Sequence, residues 1–506
     1  MFDIERPKLD NFISRFRECT PRILVVTDGP LDEKDDPFGL SHFIEVLSAT
    51  QIHGMTPDVV YRHRESNQVF NDLSINTFDV VFLFGFNPTS SPLSSDALTR
   101  IKRFMQSGGG LFATGDHEDL GTGMCGDIPR VRSMRYWAKS ETPDGADSSR
   151  ITTNLPGNDG VYVFEDQEDT HPQRLYPNYA VGTDSLLVLL PGNQSPARAV
   201  HPLIRFGGAS TLHVYPDHPH EGECRIPEDL STTFELDGEM EREWPGSGFV
   251  FNRPRPRAVA YSMSAGNGFT FSPDKSAVVP RSFIALAAYD GHHADVGRVV
   301  TDSTWHHYVN INLKGMRPGN ISNSDMRAIE AFWSNMASWL MPKKTRLCLW
   351  PLLVVTTLLE HPILEEIKIP ELSLERTGEL ITLGEQIVDA VDESPGSVAS
   401  DLVADVMAQF GRNQSEPGIE EEEFDAKLAT KVSCAIIGAH FTQLVAAMAD
   451  DAKDFDEQDI HLIAASMGPK LVDAIFAEER AKVERYVKQL ERTANLFAQP
   501  LGASEA

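Results

Sequence analysis

Gly108-Gly109-Gly110-Leu111-Phe112-Ala113-Thr114-Gly115-Asp116-His117 is the stretch that decides the fold. The glycines stop a helix, because glycine takes the left-handed conformation at a helix end at least cost. Leu111 to Thr114 then reads as a strand buried on both faces, since it shows no polar alternation. A polar cluster, Gly115-Asp116-His117-Glu118-Asp119, follows at once. Upstream, Ser95 or Asp96 caps a helix carrying Leu98, Ile101, Phe104 and Met105 at helical spacing. Asp79 to Gly85 and Arg22 to Thr27 are further continuous apolar strands, and the second ends at Asp28-Gly29-Pro30. Phe38 to Leu47 has helical spacing, and Val59-Val60-Tyr61 is a weaker strand. This alternation predicts an α/β fold with a parallel sheet covered on both faces.

Two more polar clusters follow runs that also read as buried strands. Asp217-His218-Pro219-His220-Glu221 comes after Thr211 to Tyr215, and Asp302-Ser303-Thr304-Trp305-His306-His307 comes after Gly297 to Thr301. In open α/β sheets ligands sit outside the carboxyl ends of strands, where such loops converge. A single loop of this composition is an ordinary polar turn, whereas three in one domain predict a shared site.

The chain has 506 residues, enough for more than one domain. Residues 1–344 are expected to form the α/β domain, with an irregular, turn-rich insertion at about 126–280 that walls the site. The sheet resumes at Phe283 to Ala288, and a helix from Asp325 to Leu340 closes the domain. Residues 345–506 carry long amphipathic patterns, Leu380 to Val391, Lys427 to Met448 and Leu471 to Phe497, and are expected to be an all-α domain. Apolar stripes of that width need a partner surface, supplied by the first domain, a second copy or another protein.

The net charge of −29 argues against nucleic acid and anionic lipid as partners. The run Leu347 to Leu359 is shorter than the roughly 20 residues of a spanning helix and contains Pro351, so no membrane segment is expected. Five cysteines without CxxC spacing point to a reducing, cytoplasmic setting and mostly buried thiols. No signal peptide is expected from the opening residues, Met1-Phe2-Asp3-Ile4-Glu5-Arg6, which lack a basic and an apolar stretch.

The strand Ile23 to Asp28, the segment Gly108 to His117, and Gly297-Arg298-Val299-Val300 leading into Trp305-His306-His307 resemble the class I glutamine amidotransferase-like fold, in its ThuA-like branch. The likeness spans roughly residues 20–125 and 280–340. It implies a flavodoxin-like parallel sheet, a nucleophile on the turn after Thr114, and a histidine late in the domain. That turn reads Thr114-Gly115-Asp116-His117 and holds no cysteine, and Cys125 lies too far downstream, so glutaminase chemistry by a Cys-His pair is not expected. His306 or His307 matches the late histidine.

Metal-assisted hydrolysis or acid/base catalysis remains. His117, His218, His220 and His307 are the candidate ligands for zinc, manganese or iron, and Asp116, Glu118, Glu221 and His306 the candidate catalytic groups. The spacing is not that of an HExxH helix. Asp28, Arg130, Arg132 and Trp305 are candidates for holding a small polar substrate. The arginines, with Arg135 beside them, would orient a carboxylate or phosphate, or else pair with nearby Asp and Glu. The rival expectation is a catalytically degenerate domain that binds a polar ligand or serves as scaffold for the helical half.

Overall fold

The computed structural model describes residues 13–14, 16–117, 119–141, 173–179, 200–206, 210–216, 222–246, 254–263, 282–316, 323–360, 373, 376–393, 426–449 and parts of 470–489. Its strands are β1 (Arg22–Thr27), β2 (Asp58–His63), β3 (Val80–Phe84), β4 (Gly110–Thr114), β5 (Gln173–Arg174), β6 (Tyr176–Pro177), β7 (Arg205–Phe206), β8 (Ser210–Thr211), β9 (Val214–Tyr215), β10 (Thr233–Leu236), β11 (Glu239–Arg242), β12 (Arg257–Met263), β13 (Ser282–Tyr289) and β14 (Val299–Asp302). Its principal helices are α1 (Ser41–Ala49), α2 (Ser95–Gln106), α3 (Thr122–Cys125), α4 (Val131–Met134), α5 (Asn310–Met316), α6 (Asn323–Leu340), α7 (Lys343–Glu360), α8 (Thr377–Glu393) and α9 (Ala426–Ala449).

Eight strands form one sheet in the order β2-β1-β3-β4-β14-β13-β12-β6. The first five run parallel, with Asp302 of β14 opposite Thr114 of β4. The remaining pairs are antiparallel, so the expected parallel sheet is instead mixed, an α/β fold with a mostly parallel sheet. Antiparallel pairing needs no crossover helix, and β13 turns back beside β14 through a short 3-10 segment, Gly291–Ala294. Two strands from the stretch read as an insertion, β6 and β12, extend the sheet at its edge.

Side-chain alternation along the parallel strands builds two apolar layers. Ile23, Val25, Phe82, Phe84 and Phe112 pack against Phe43 and Leu47 of α1 and Ile329, Trp333 and Met336 of α6. Leu24, Val26, Val81, Leu83, Leu111 and Ala113 pack against Ala97, Ile101, Phe104 and Met105 of α2. The Ser94 hydroxyl caps α2 at the Ala97 N–H, one residue before the expected cap, and Gly108 follows the helix with φ +97°.

Thr211 to Tyr215 is not the buried sheet strand its composition suggests. It divides into β8 and β9, which belong to separate two-stranded sheets, and exposed His213 between them bonds back to the Thr211 hydroxyl at 2.7 Å. A second departure concerns cysteine. Cys19 and Cys348 are joined in a disulfide across 329 residues, a separation at which no spacing pattern announces a pair, while Cys125, Cys224 and Cys434 are buried free thiols.

The chain divides into two compact units, one of residues 2–361 with 390–408 and the other of residue 1, 362–389 and 409–506. In the second, α8 and α9 approach backbone to backbone: a Cβ on Gly384 would lie 1.8 Å from the Cys434 carbonyl oxygen, and one on Gly438 2.1 Å from that of Leu380. Among the described residues, no helix is long and apolar enough to cross a membrane.

Candidate functional site

The parallel register sets the site. Because Thr114 and Asp302 end adjacent strands side by side, the loops Gly115–His117 and Ser303–His307 leave the same edge of the sheet together. The Trp305 N–H donates to the Gly115 carbonyl at 3.0 Å, which ties one loop to the other.

Asp116 is the centre. Its carboxylate is fully buried, with the Thr304 hydroxyl donating to Oδ1 at 2.9 Å and His117 Nδ1 lying 2.7 Å from Oδ2. His306 Nε2 approaches the same Oδ2 at 3.4 Å, and its Nδ1 lies 3.1 Å from Asn312 Oδ1. Burial alone would raise the Asp116 carboxyl, but the charges and hydrogen bonds of His117 and His306 hold it well below the usual carboxylate range. An ionised carboxylate only accepts, so His117 carries its proton on Nδ1 and, when neutral, presents a lone pair on Nε2. The His117 side chain keeps 22% of its surface exposed while Asp116 keeps none.

Behind this pair lies a second one. His307 Nδ1 is 2.8 Å from Asp302 Oδ1, and the Tyr308 hydroxyl donates to Oδ2 at 2.7 Å. Asp302, His307 and Tyr308 are buried, and the Tyr215 ring packs on His307 at 4.1 Å between centroids. Burial, reinforced by the Asp302 charge, raises the Tyr308 hydroxyl well above its ordinary value, so it stays a donor. Trp305 packs against Phe38, Phe86 and His306, at 6.0, 5.8 and 4.0 Å, and makes an apolar wall.

Arg135 closes the arrangement. Its buried guanidinium donates to the carbonyls of Asp116 (2.6 Å), Ser303 (2.7 Å), Asp302 (3.2 Å) and Tyr136 (2.9 Å), and it stacks over Trp137 at 4.7 Å. Gly222 is packed against the same guanidinium; a Cβ there would lie 2.0 Å from it.

Of the residues named from sequence, Asp116, His117, Trp305, His306 and His307 come together. Asp28 stands at the carboxyl end of β1 with both oxygens engaged, one by the Phe86 and Asn87 N–H groups and the other by Arg64 at 2.9 Å. Arg130 and Arg132 converge on Glu243, and Arg130 also reaches Gln106, where α2 ends ahead of β4. Glu118, His218, His220 and Glu221 lie outside the described residues, although Tyr215 and Gly222, close on either side of 217–221, both pack at the site. Among the described residues no group of three or more His, Cys, Asp or Glu is arranged to hold a metal ion. Cys125 and Cys224 are buried; burial pushes the first thiol up and the second up to about 12, so neither offers a ready thiolate.

Sequence reasoning missed the parts played by Thr304, Arg135 and Asn312. Thr304 lies inside a quoted cluster, but a threonine in a turn carries no signal for the carboxylate it will meet 188 residues away. No known protein family, curated protein or solved structure matches the chain.

Proposed function

We propose that the chain is a hydrolase of small polar substrates, working from the carboxyl ends of β4 and β14, with a divalent metal (zinc, manganese or iron) as its expected cofactor. The observation that carries this reading is the 2.7 Å contact between buried Asp116 and partly exposed His117. A carboxylate behind a histidine fixes its tautomer and raises the basicity of the outer nitrogen, which suits it either to take a proton from water or to bind a metal. His117 Nε2 is therefore the reacting atom, Asp116 its orienting group, and Thr304 and His306 the groups that hold Asp116. Trp305, with Phe38 and Phe86, keeps bulk water from one side. A bound metal would supply a water with a pKa near 7.

His117 fits a metal as one nitrogen ligand, and the described residues alone do not complete a set. His218 and His220 are proposed as the others. Chain connectivity supports them, since a chain advances at most ~3.6 Å per residue and the flanks Tyr215 and Gly222 are anchored at the site. Glu118 and Glu221 are proposed as further proton carriers. The strand order β2-β1-β3-β4 supports a flavodoxin-like, class I amidotransferase-like frame.

The engaged oxygens of Asp28 and the Glu243 pairing of Arg130 and Arg132 favour anchoring over substrate contact for these three. A second reading is a degenerate amidotransferase-like domain that binds a polar ligand and carries a helical interaction unit. It is favoured by the burial of Cys125 and Cys224, whose raised thiols offer no ready thiolate beside β4. Elemental analysis of unchelated protein, with a screen of ester, amide and phosphoester substrates, separates the two. Near-stoichiometric metal and hydrolysis, both lost in His117→Ala, are expected. Folded, metal-indifferent and inactive protein would leave the binding domain.

A further inference from the structure

Asp79, the residue before β3, gathers three parts of the chain at the amino ends of the strands. The Arg22 N–H and Nε donate to Asp79 Oδ2 at 2.8 and 3.1 Å, and the Thr345 hydroxyl donates to Oδ1 at 2.7 Å. The first turn of α7 is thereby held against the start of β1 in a fixed register. Cys19 lies three residues before Arg22, and Cys348 lies three residues after Thr345, one helical turn further along α7. The pairing of these two cysteines continues the seam that Asp79 sets, with their Cα atoms 6.0 Å apart. Both are partly exposed, whereas Cys125, Cys224 and Cys434 are buried. Access and geometry select this pair from all the cysteines of the chain.

We propose that Cys19 and Cys348 are a reversible thiol–disulfide couple that clasps α7 to the entry of β1, with a small-molecule disulfide of the glutathione class as exchange partner. In the closing direction one thiolate attacks the glutathione disulfide and releases one glutathione thiolate, leaving a mixed disulfide. The second cysteine thiolate then attacks the protein sulfur of that bond and releases the other glutathione. The two cysteines lose two protons and two electrons, and the disulfide takes up both electrons and becomes two glutathione thiols. Partial exposure admits each attacking sulfur, and the Asp79 seam keeps the partners in register after reduction, so the couple opens and closes without global unfolding.

The test uses the full chain, equilibrated with reduced or oxidised glutathione, acid-quenched, denatured and titrated for thiols. Oxidised protein should show the three buried thiols and reduced protein all five, and peptide mapping of the oxidised form should join Cys19 to Cys348. Hydrogen exchange should rise on reduction at residues 17–22 and 343–350 and stay unchanged in β3 and β4. Cys19→Ser and Cys348→Ser should each stop at the mixed disulfide with glutathione, lose the hydrogen-exchange response and exchange like the reduced protein. Five thiols under oxidising glutathione, a different pairing, reduction only in denaturant, or identical exchange in both states would each overturn the proposal.

Discussion

Thr304 holds Asp116 from the loop that follows the neighbouring strand, β14. Its hydroxyl donates to Asp116 Oδ1 at 2.9 Å, its own N–H donates to Asp302 Oδ1 at 3.3 Å, and its oxygen accepts the His306 N–H at 3.0 Å. One residue thus joins the two buried carboxylates of the site, each of which orients a histidine. The link exists because β4 and β14 are parallel neighbours that end in register.

Thr304→Val keeps the shape and removes the hydroxyl. A buried acceptor left unpaired costs about 1–3 kcal/mol, so the unfolding free energy from urea titration should fall by that amount, with a lower midpoint and an unchanged slope. Thr304→Ser, which keeps the donor, should recover most of it. A loss in Thr304→Ser with none in Thr304→Val would mean that the methyl packing, not the hydrogen bond, is what Thr304 supplies.

Asp116→Asn tests orientation. An amide can offer its own N–H to His117 Nδ1, which then keeps its proton on Nε2, the side that should accept one. Hydrolysis should drop by about 100- to 10,000-fold, the usual range for a positioned acid or base, with little change in substrate affinity. Steady-state kinetics of the two proteins on one substrate check this, and an unchanged turnover number would remove Asp116 from the mechanism.

Arg135 is expected to matter more for folding than for chemistry. Arg135→Met leaves the carbonyls of Asp116 and Ser303 without their shared buried donor, while that of Asp302 keeps the Thr114 hydroxyl at 3.3 Å. At about 1–3 kcal/mol for each orphaned group, the loss is a large fraction of the stability of an ordinary domain. Soluble yield and the thermal midpoint should fall sharply, with Arg135→Lys intermediate because one ammonium cannot reach all of these carbonyls at once. If the Arg135→Met protein proves as stable as the parent, water satisfies those carbonyls and the guanidinium is dispensable.

Much of the frame is legible in the sequence. β1, β3 and β4 are short apolar runs between turn residues, and α2 has a capping serine and a glycine stop; local rules fix such elements. Thr211 to Tyr215 is less legible. Its run has strand composition but no long sheet partner, and pairing is decided by residues elsewhere. The same holds for β13, whose antiparallel direction depends on the turn at Gly291–Ala294. Asp116, His117 and His306 are visible as polar residues after strands. The roles of Arg135, Asn312 and Thr304 are not, because a hydrogen bond to a carbonyl or carboxylate far away in sequence leaves no periodic trace.

Acid should destabilise the fold through its buried histidines. His53 is buried, and burial, assisted by the Arg346 charge, pushes its pKa down to about 3; His292 is lowered well below its ordinary value by burial and by Arg298 and Arg346. In the unfolded chain each histidine takes up a proton near pH 6.5. The folded state of each binds fewer protons than the unfolded state below that pH, so their contribution to stability is complete above pH 6.5. It is lost progressively as pH falls toward about 3 for His53. For each histidine the slope should approach about 1.4 kcal/mol per pH unit. Urea unfolding at pH 7.5, 6.0 and 5.0 should show stability falling with pH. His53→Asn should flatten that fall, since asparagine accepts the φ of +51° at this position and does not titrate. A variant with the parent's full pH dependence would show that His53 is protonated in the fold or exposed on the way to unfolding, and the acid sensitivity would then have to come from His292 and the carboxylates.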